Sequence, residues 1–461
     1  MTSRKKVAPG GIAPDKPRDE GFPVDVCEPP LQTDWFGPGG FDTPASWSRD
    51  GNRPIGIDLF AGCGGLSLGF EQAGFDVVAA VEIDPIHAAV HEYNFPQCKT
   101  ICADIKDVSG DALRAASRIG DRDVDVVFGG APCQGFSMIG KRNLDDPRNQ
   151  LIKEFFRIVG EIRPKFCVLE NVKGLMVGQH VKFLDELIES LKDLGYTVRL
   201  PYKVLNAADY GVPQNRHRLF LLAARNDQKT PEYPMPVPGK TTVMDAISDI
   251  PDADGFETLK DRESVPCRWK TTALYASRLR GTADDPSDFS TPRFFDPDVL
   301  TDSLRTFHND ESKSRFSSAP QGETEPKSRF FKLAWDGQSN TLRAGTDSAR
   351  GGFTSPRPIH PQLPRVITVR EAARLHSYPD WFRFNWTKWH GFREIGNSVP
   401  PMLARAVGAA VMDALGRKPE KPARKINCGP AALLHFDMAD AAAHFGVSRH
   451  VIAQRTRKSH D

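Results

Sequence analysis

Cys133 lies in the run Gly129-Gly130-Ala131-Pro132-Cys133-Gln134-Gly135-Phe136-Ser137, directly after the apolar stretch VDVVF. A cysteine just past a strand's carboxyl end sits where doubly wound folds bind ligands. Proline restricts the backbone before it, and the glycines give freedom around it. An inert loop cysteine is the ordinary alternative. The continuation from Gly140 to Arg148 is polar, carries Lys141 and Arg142, and is suited to closing over a substrate. Glu170-Asn171-Val172 follows another apolar run, KFCVL, and a glutamate suits such a strand end only when solvated, paired or catalytic. Gln214, Arg216 and Arg218 alternate, so they share one face of an extended segment, fit for a buried carboxylate or a phosphate.

A second group of residues points to a cofactor. Asp58-Leu59-Phe60-Ala61-Gly62-Cys63-Gly64-Gly65 follows one predicted strand and opens a helix. Glycines there allow close backbone approach, and the helix start offers free N–H groups. The next strand ends in Glu82-Ile83-Asp84, about twenty residues on, where nucleotide-binding folds place an acid on a ribose hydroxyl. A third strand region ends in Asp104. This succession favours an adenosine-containing cofactor, and the departure from GxGxxG argues against a dinucleotide. A structural tight turn and strand-end solvating acids are the bland alternatives. Near the far end, Glu394-Ile395-Gly396-Asn397-Ser398-Val399-Pro400-Pro401 reads as a helix start with a side-chain cap.

The elements that must position these residues show in the hydrophobic pattern. From Ile55 to about Arg225, short apolar runs alternate with longer segments of helical period. This is the pattern of an α/β, doubly wound, Rossmann-like sheet, and the last pair of runs lacks a long intervening helix, which allows an antiparallel edge. From Asn226 to about Pro364 the regularity stops. Charge is uneven there: Asp245–Glu311 holds 15 acidic and 8 basic residues, whereas Lys313–Arg365 holds 9 basic and 4 acidic. A basic face of that kind is compatible with phosphate binding, and a solvated charged surface is the alternative. Helical period returns at Val366, and a basic linker follows from Arg417 to Lys425. FDMADAAAHFGVSRHVIAQRTRK then reads as two short helices broken at Gly446–Ser448, weakly like a helix-turn-helix and at least as well an accessory helical hairpin. The expected organisation is an N-terminal extension (1–53), largely flexible, a catalytic block (54–225), a smaller irregular recognition block (226–365), returning helices (366–416) and an accessory basic tail (417–461). In the extension, Trp35, Phe36, Phe41 and Trp47 are better read as packing residues than as a binding site.

Composition agrees with a large soluble core. The chain has 461 residues, 39% of them hydrophobic, and a formal net charge of +2. No uncharged apolar run approaches the ~18 residues that span a bilayer, and the first residues lack the apolar stretch of a signal peptide. Eight cysteines without a CxxC pair form neither a disulfide framework nor a zinc knuckle, so no metal is expected.

Together the motifs are specific. The chain resembles the DNA (cytosine-5) methyltransferase family: DLFAGCGG is similar to its first cofactor motif, GGAPCQGFS to its Pro-Cys-Gln motif, ENV to its Glu-Asn-Val motif and QNRHR to its Gln-x-Arg-x-Arg motif. VITVREAARLHSYPDWF and GNSVPP resemble the last two blocks, and all occur in the family's order. The resemblance implies methyl transfer from S-adenosylmethionine to C5 of a cytosine flipped out of double-stranded DNA. Cys133 is implied as the nucleophile on C6 and Glu170 as the acid at N3, with Arg216 and, second to it, Arg218 orienting base and acid. Phe60, Gly62, Gly64, Gly65, Glu82, Asp104, Pro132, Leu151, Asn397 and Ser398 are implied in the cofactor pocket. A cytoplasmic, monomeric modification enzyme with a cognate restriction endonuclease, associated with the nucleoid if prokaryotic, is the expected setting. An RNA cytosine methyltransferase, a silent DNA-binding regulator and a small-molecule methyltransferase are the rival readings; the large variable segment favours DNA, and a small-molecule enzyme needs neither that segment nor the Cys–Glu pair.

Overall fold

The computed structural model describes residues 53–132, 150–176, 180–270, 273–345 and 357–452. The aromatic residues of the extension, Cys133 and the stretch through Arg148 lie outside them.

The apolar runs form strands β1 (Ile55–Leu59), β2 (Asp76–Glu82), β3 (Lys99–Cys102), β4 (Val126–Gly129), β5 (Phe166–Val172), β6 (Tyr196–Val198), β7 (Lys203–Asn206) and β8 (His217–Arg225). They make one sheet in the order β3-β2-β1-β4-β5-β8-β6, with β7 also paired to β8. β1 to β5 are parallel, and β8 runs antiparallel to β5, β6 and β7. The antiparallel turn at the end is as the missing helix implied, although β8 is enclosed between neighbours rather than at the edge. Helices α1 (Gly65–Gln72), α2 (Pro85–Asn94), α3 (Gly110–Ser117), α4 (Gln150–Ile162) and α5 (His180–Asp193) connect the strands.

Alternation divides the side chains of each strand between two cores. Phe128, Phe166, Val168, Phe220 and Leu222 belong to one, and Val127, Cys167, Leu169, Leu219 and Leu221 to the other. Small residues bring the returning chain close to the first. Helix α11 (Pro401–Ala414) packs on α1, where a Cβ on Gly69 would stand 2.2 Å from the Ala404 Cβ and one on Gly408 2.8 Å from that of Ala73. Only glycine permits this spacing, which carries the end of the chain back to the cofactor edge.

Between them the irregular segment holds α6 (Val243–Ile247), α7 (Leu274–Leu279), α8 (Asp310–Ser318) and a two-stranded β9 (Val265–Pro266) and β10 (Val299–Leu300). Helices α9 (Val369–Leu375) and α10 (Lys388–Asn397) precede α11. Tyr233, Val243, Ile247, Leu259, Leu300, Leu333 and Leu342 join the same core as α1 and α11. The changes of pattern at 225 and 365 thus do not separate two large cores.

The tail is docked. Helix α12 (Met438–Phe445) and the turn before it lie on α2, burying Leu433, Leu434, Ala441 and Ala442. Gly429 N–H donates to Tyr93 O at 2.7 Å, and Gly446 ends α12 at φ +67°. Residues 449–452 are turns and bends rather than the start of a second helix. No helix among the described residues is long and apolar enough to cross a membrane.

Candidate active site

Parallel strands end on one edge, so the motifs meet there. The β1 turn takes left-handed backbone at Phe60 (φ +63°), Gly62 (φ +57°) and Gly64 (φ +103°). A Cβ on Gly62 would meet nothing within 4 Å, which leaves room on the concave side of the turn. One on Gly65 would lie 2.4 Å from Val399 O and 2.9 Å from the Ser398 Cβ, so glycine lets the last motif lie on the first. Glu82 is no solvated strand-end acid: its carboxylate accepts from Gly62 N at 2.8 Å and from Asp84 N at 2.9 Å. Burial raises its pKa. Asp104 is half-buried and accepts from Lys106 N at 3.1 Å. Leu151, at the start of α4, and Phe60 pack against the same core; Pro132 and Asn397 are exposed, and Ser398 is half-buried. These groups fit an adenosyl ligand: open backbone at a glycine turn and a fixed carboxylate at the next strand's end.

Beneath the turn runs a buried polar chain. Ser67 Oγ donates to Asp58 Oδ2 at 2.6 Å and lies 3.0 Å from His91 Nε2, while His91 Nδ1 lies 2.9 Å from Thr100 Oγ1. Desolvation pushes Asp58 up to about 8 and His91 down to about 3. Sequence pattern gave no sign of this chain, since its members lie on four elements.

The last motif differs from the expected capped helix start. Asn397 ends α10, and α11 begins after Pro400 with no side-chain cap. Its free groups are met from elsewhere. Arg216 is fully buried and donates to Leu342 O (2.7 Å), Gly396 O (2.8 Å) and Ser398 O (2.7 Å). His376 Nε2 also reaches Ser398 O at 3.2 Å, and its Nδ1 faces Gln214 Nε2 at 2.9 Å. The neutral ring with its proton on Nε2 satisfies both contacts, and burial with Arg216 nearby holds the His376 pKa well below normal. Gln214 Oε1 accepts from Leu342 N at 3.0 Å. Gly396 admits the backbone of Arg343 and Ala344, within 2.3 Å of a Cβ placed there.

Arg218 does something else. In the β5–β8 register Val172 faces Arg218 and Glu170 faces Phe220, so Glu170 and Arg218 are diagonal neighbours on one face. Arg218 Nε lies 2.8 Å from Glu170 Oε1. Burial raises the Glu170 pKa, opposed by the charges of Arg218 and then Arg216. Of the two arginines expected at the acid, the structure puts Arg218 on Glu170 and Arg216 on backbone carbonyls.

The root of the cysteine loop lies beside this pair. A Cβ on Gly129 would stand 2.1 Å from Leu59 O, and one on Gly130 2.8 Å from Glu170 Oε2. Asn171, on the opposite face from Glu170, donates to Ala131 O at 3.1 Å. Sequence reasoning named Asn171 only within its motif; its anchoring of the residue two before Cys133 needed the fold. Tyr378 was likewise missed: its hydroxyl lies 3.4 Å from Cys63 Sγ, and the two join the cofactor turn to α10.

Comparison with known proteins agrees with this arrangement. The family C-5 cytosine-specific DNA methylase matches residues 56–413. Type II methyltransferase M.XorII of Xanthomonas oryzae is 62% identical over 405 residues, covering 88% of this chain and 95% of that protein. Type II methyltransferase M1.HphI of Haemophilus parahaemolyticus is 36% identical, covering 77% and 86%. A provisionally named DNA modification methyltransferase encoded within an Escherichia coli prophage has a solved structure that superposes with a TM-score of 0.66 at 33% identity, over 79% of this chain and all of that one. The chain therefore belongs to the C-5 cytosine-specific DNA methylase family and is a DNA (cytosine-5) methyltransferase that uses S-adenosylmethionine.

Proposed function

We propose that this enzyme methylates cytosine within one short duplex sequence as the modification partner of a restriction endonuclease, with Cys133 and Glu170 at the reacting base. The observation that carries the assignment of residues is the burial of Glu170 against Arg218 and beside Gly130, three residues before Cys133.

Cytosine C5 is a poor nucleophile until C6 is attacked. The Cys133 thiolate adds to C6, and covalent addition divides one hard step into two easier ones. Glu170, its pKa raised by burial, holds a proton near N3 and gives it up as the adduct forms. Arg218 fixes the carboxyl group's orientation through its 2.8 Å contact. Arg216 acts from a distance, holding the Gly396–Ser398 backbone where the cofactor binds. Phe60, Gly62, Gly64, Gly65, Glu82, Asp104, Pro132, Leu151, Asn397 and Ser398 are the residues assigned to S-adenosylmethionine, with Glu82 on the ribose and Asp104 on the adenine amino group. S-adenosylmethionine supplies the methyl group that C5 receives. A base, for which water is a candidate, takes the C5 proton, the electron pair left at C5 expels Cys133 as thiolate, and N3 returns its proton to Glu170, which restores the ring. The base must first leave the duplex, at a cost of a few kcal/mol.

The test is methyl transfer from labelled S-adenosylmethionine to unmethylated genomic DNA, with total RNA in parallel and single-base mapping. Label in one short DNA motif is expected, and label in RNA alone would overturn the substrate. Cys133→Ser is expected to abolish turnover while cofactor binding persists; normal turnover would refute the nucleophile. Sizing the purified enzyme by light scattering is expected to give a monomer.

A further inference from the structure

Three of the nine basic residues between Lys313 and Arg365 are paired with acids within the fold. Arg365 is held by Glu371 (2.9 Å) and Asp252 (3.1 Å), Arg315 by Glu325 (3.1 Å), and Lys327 by Glu311 (2.5 Å). Lys332 Nζ donates to Phe316 O at 2.8 Å. Arg357 has no such partner among the described residues. Its guanidinium lies over the Phe392 ring at 4.9 Å, and Phe392 stands one turn along α10 from Lys388. Lys388 opens α10, next to the free N–H groups of its first turn, and donates to Arg305 O rather than to an acid.

Two further groups face the same place. His308 accepts from Val366 N at 3.3 Å, and Lys313 is exposed on α8. Burial depresses His308 most, and Arg357, Lys313 and Lys388 add to it against Asp254; burial and then Arg357 depress Lys388, so the cations lie within reach of one another's field. The acids nearby are occupied: Asp254 pairs with Arg305 at 3.1 Å, and Glu311 with Lys327. Asp310, exposed one turn before Lys313, is the exception. Phe307, next to His308, is 68% exposed.

Cations gathered without carboxylates repel one another and lose hydration, and an anion relieves both costs. A duplex offers a row of phosphates at fixed spacing. We propose that Arg357, Lys388 and Lys313 form a contact surface for DNA backbone phosphates, outside the motif blocks that hold the cofactor and the target base. The inference rests on duplex DNA being the substrate and adds where its backbone is held. Such contacts position the duplex without reading sequence.

The experiment titrates a fluorescein-labelled duplex with the full-length enzyme across a series of salt concentrations, and plots log K against log salt. Each phosphate contact contributes about 0.9 to the slope. Arg357→Gln/Lys388→Gln is expected to lower the slope by about 2, and exposed Lys313→Gln by about 1, with S-adenosylmethionine binding by calorimetry unchanged. Lys327→Gln, from a paired lysine in the same stretch, is expected to leave the slope where it was. Unchanged slopes in the double variant and in Lys313→Gln would overturn the surface, as would an equal loss in Lys327→Gln. Methylation of genomic DNA by the unaltered enzyme in the same preparation separates the two claims: its absence defeats the substrate reading, whereas its presence with unchanged slopes defeats the phosphate surface alone.

Discussion

Arg216 and Arg357 are both cations with no carboxylate hydrogen-bonded to them among the described residues, and their surroundings are opposite. Three carbonyl oxygens at 2.7–2.8 Å close around Arg216, from Leu342 on one side and Gly396 and Ser398 on the other. Arg357 has a phenyl ring beneath it and other cations beside it. The first is a finished contact that ties the variable segment to the cofactor loop. The second is half a contact. A lone charge therefore says little until the polar groups around it are counted. Arg218 completes the series, since it has the carboxylate the others lack.

The largest effect expected falls on that carboxylate. Glu170→Gln keeps the shape and the diagonal neighbour but removes the proton that burial holds on the acid. It is expected to lower kcat by about 10²–10⁴-fold with little change in thermal midpoint, read by single-turnover methylation alongside a melt. A variant that loses stability and keeps kcat would make the Glu170–Arg218 pair structural, like Arg216.

Next comes the contrast between the two arginines that have no carboxylate. Arg216→Met leaves buried carbonyls without donors, and each costs about 1–3 kcal/mol when stranded. A loss of about 3–5 kcal/mol in urea unfolding is expected, accompanied by weaker S-adenosylmethionine binding. Arg357→Gln strands nothing and is expected to stay within about 0.5 kcal/mol of the parent. Equal losses at the two positions would erase the distinction.

That distinction marks how far the sequence could be read. Which runs form strands and which form helices followed from the periodicity of Ile55–Arg225, and the missing helix left room for an antiparallel pair, because alternation and helical period are local properties. The meeting of Glu82, Asp104 and Glu170 on one edge followed from their places at strand ends, since a parallel sheet brings such ends together. What could not be read depends on partners far along the chain. Gln214-x-Arg216-x-Arg218 places both arginines on one face, but β8 begins at His217, so Arg216 precedes the strand and meets Ser398 while Arg218 meets Glu170. The docking of the tail was not legible either, because it depends on α2, more than 300 residues earlier.

The last effect is one of pH dependence and concerns a buried acid whose surroundings resemble Arg357's in being incomplete. Glu394 Oε2 accepts from Asn385 N at 3.0 Å, while Oε1 is buried without a hydrogen bond. Desolvation lifts its pKa to about 8, with Asp84 and Asp302 adding repulsion and Arg393 opposing it. A folded-state pKa above the unfolded one means the folded chain holds the proton more tightly. Glu394 therefore contributes most to stability below about pH 4.5, and the contribution is lost as pH rises through about 8. Glu394→Gln carries no such proton. Its stability relative to the parent is expected to improve with rising pH, by up to about 1.4 kcal/mol per unit within that window. Urea midpoints of both proteins at pH 5, 6, 7 and 8 read this directly, and taking the difference cancels Asp58, which both retain. A difference that stays flat would mean that water or a neighbouring donor completes Oε1, and that Glu394 is ionised in the fold.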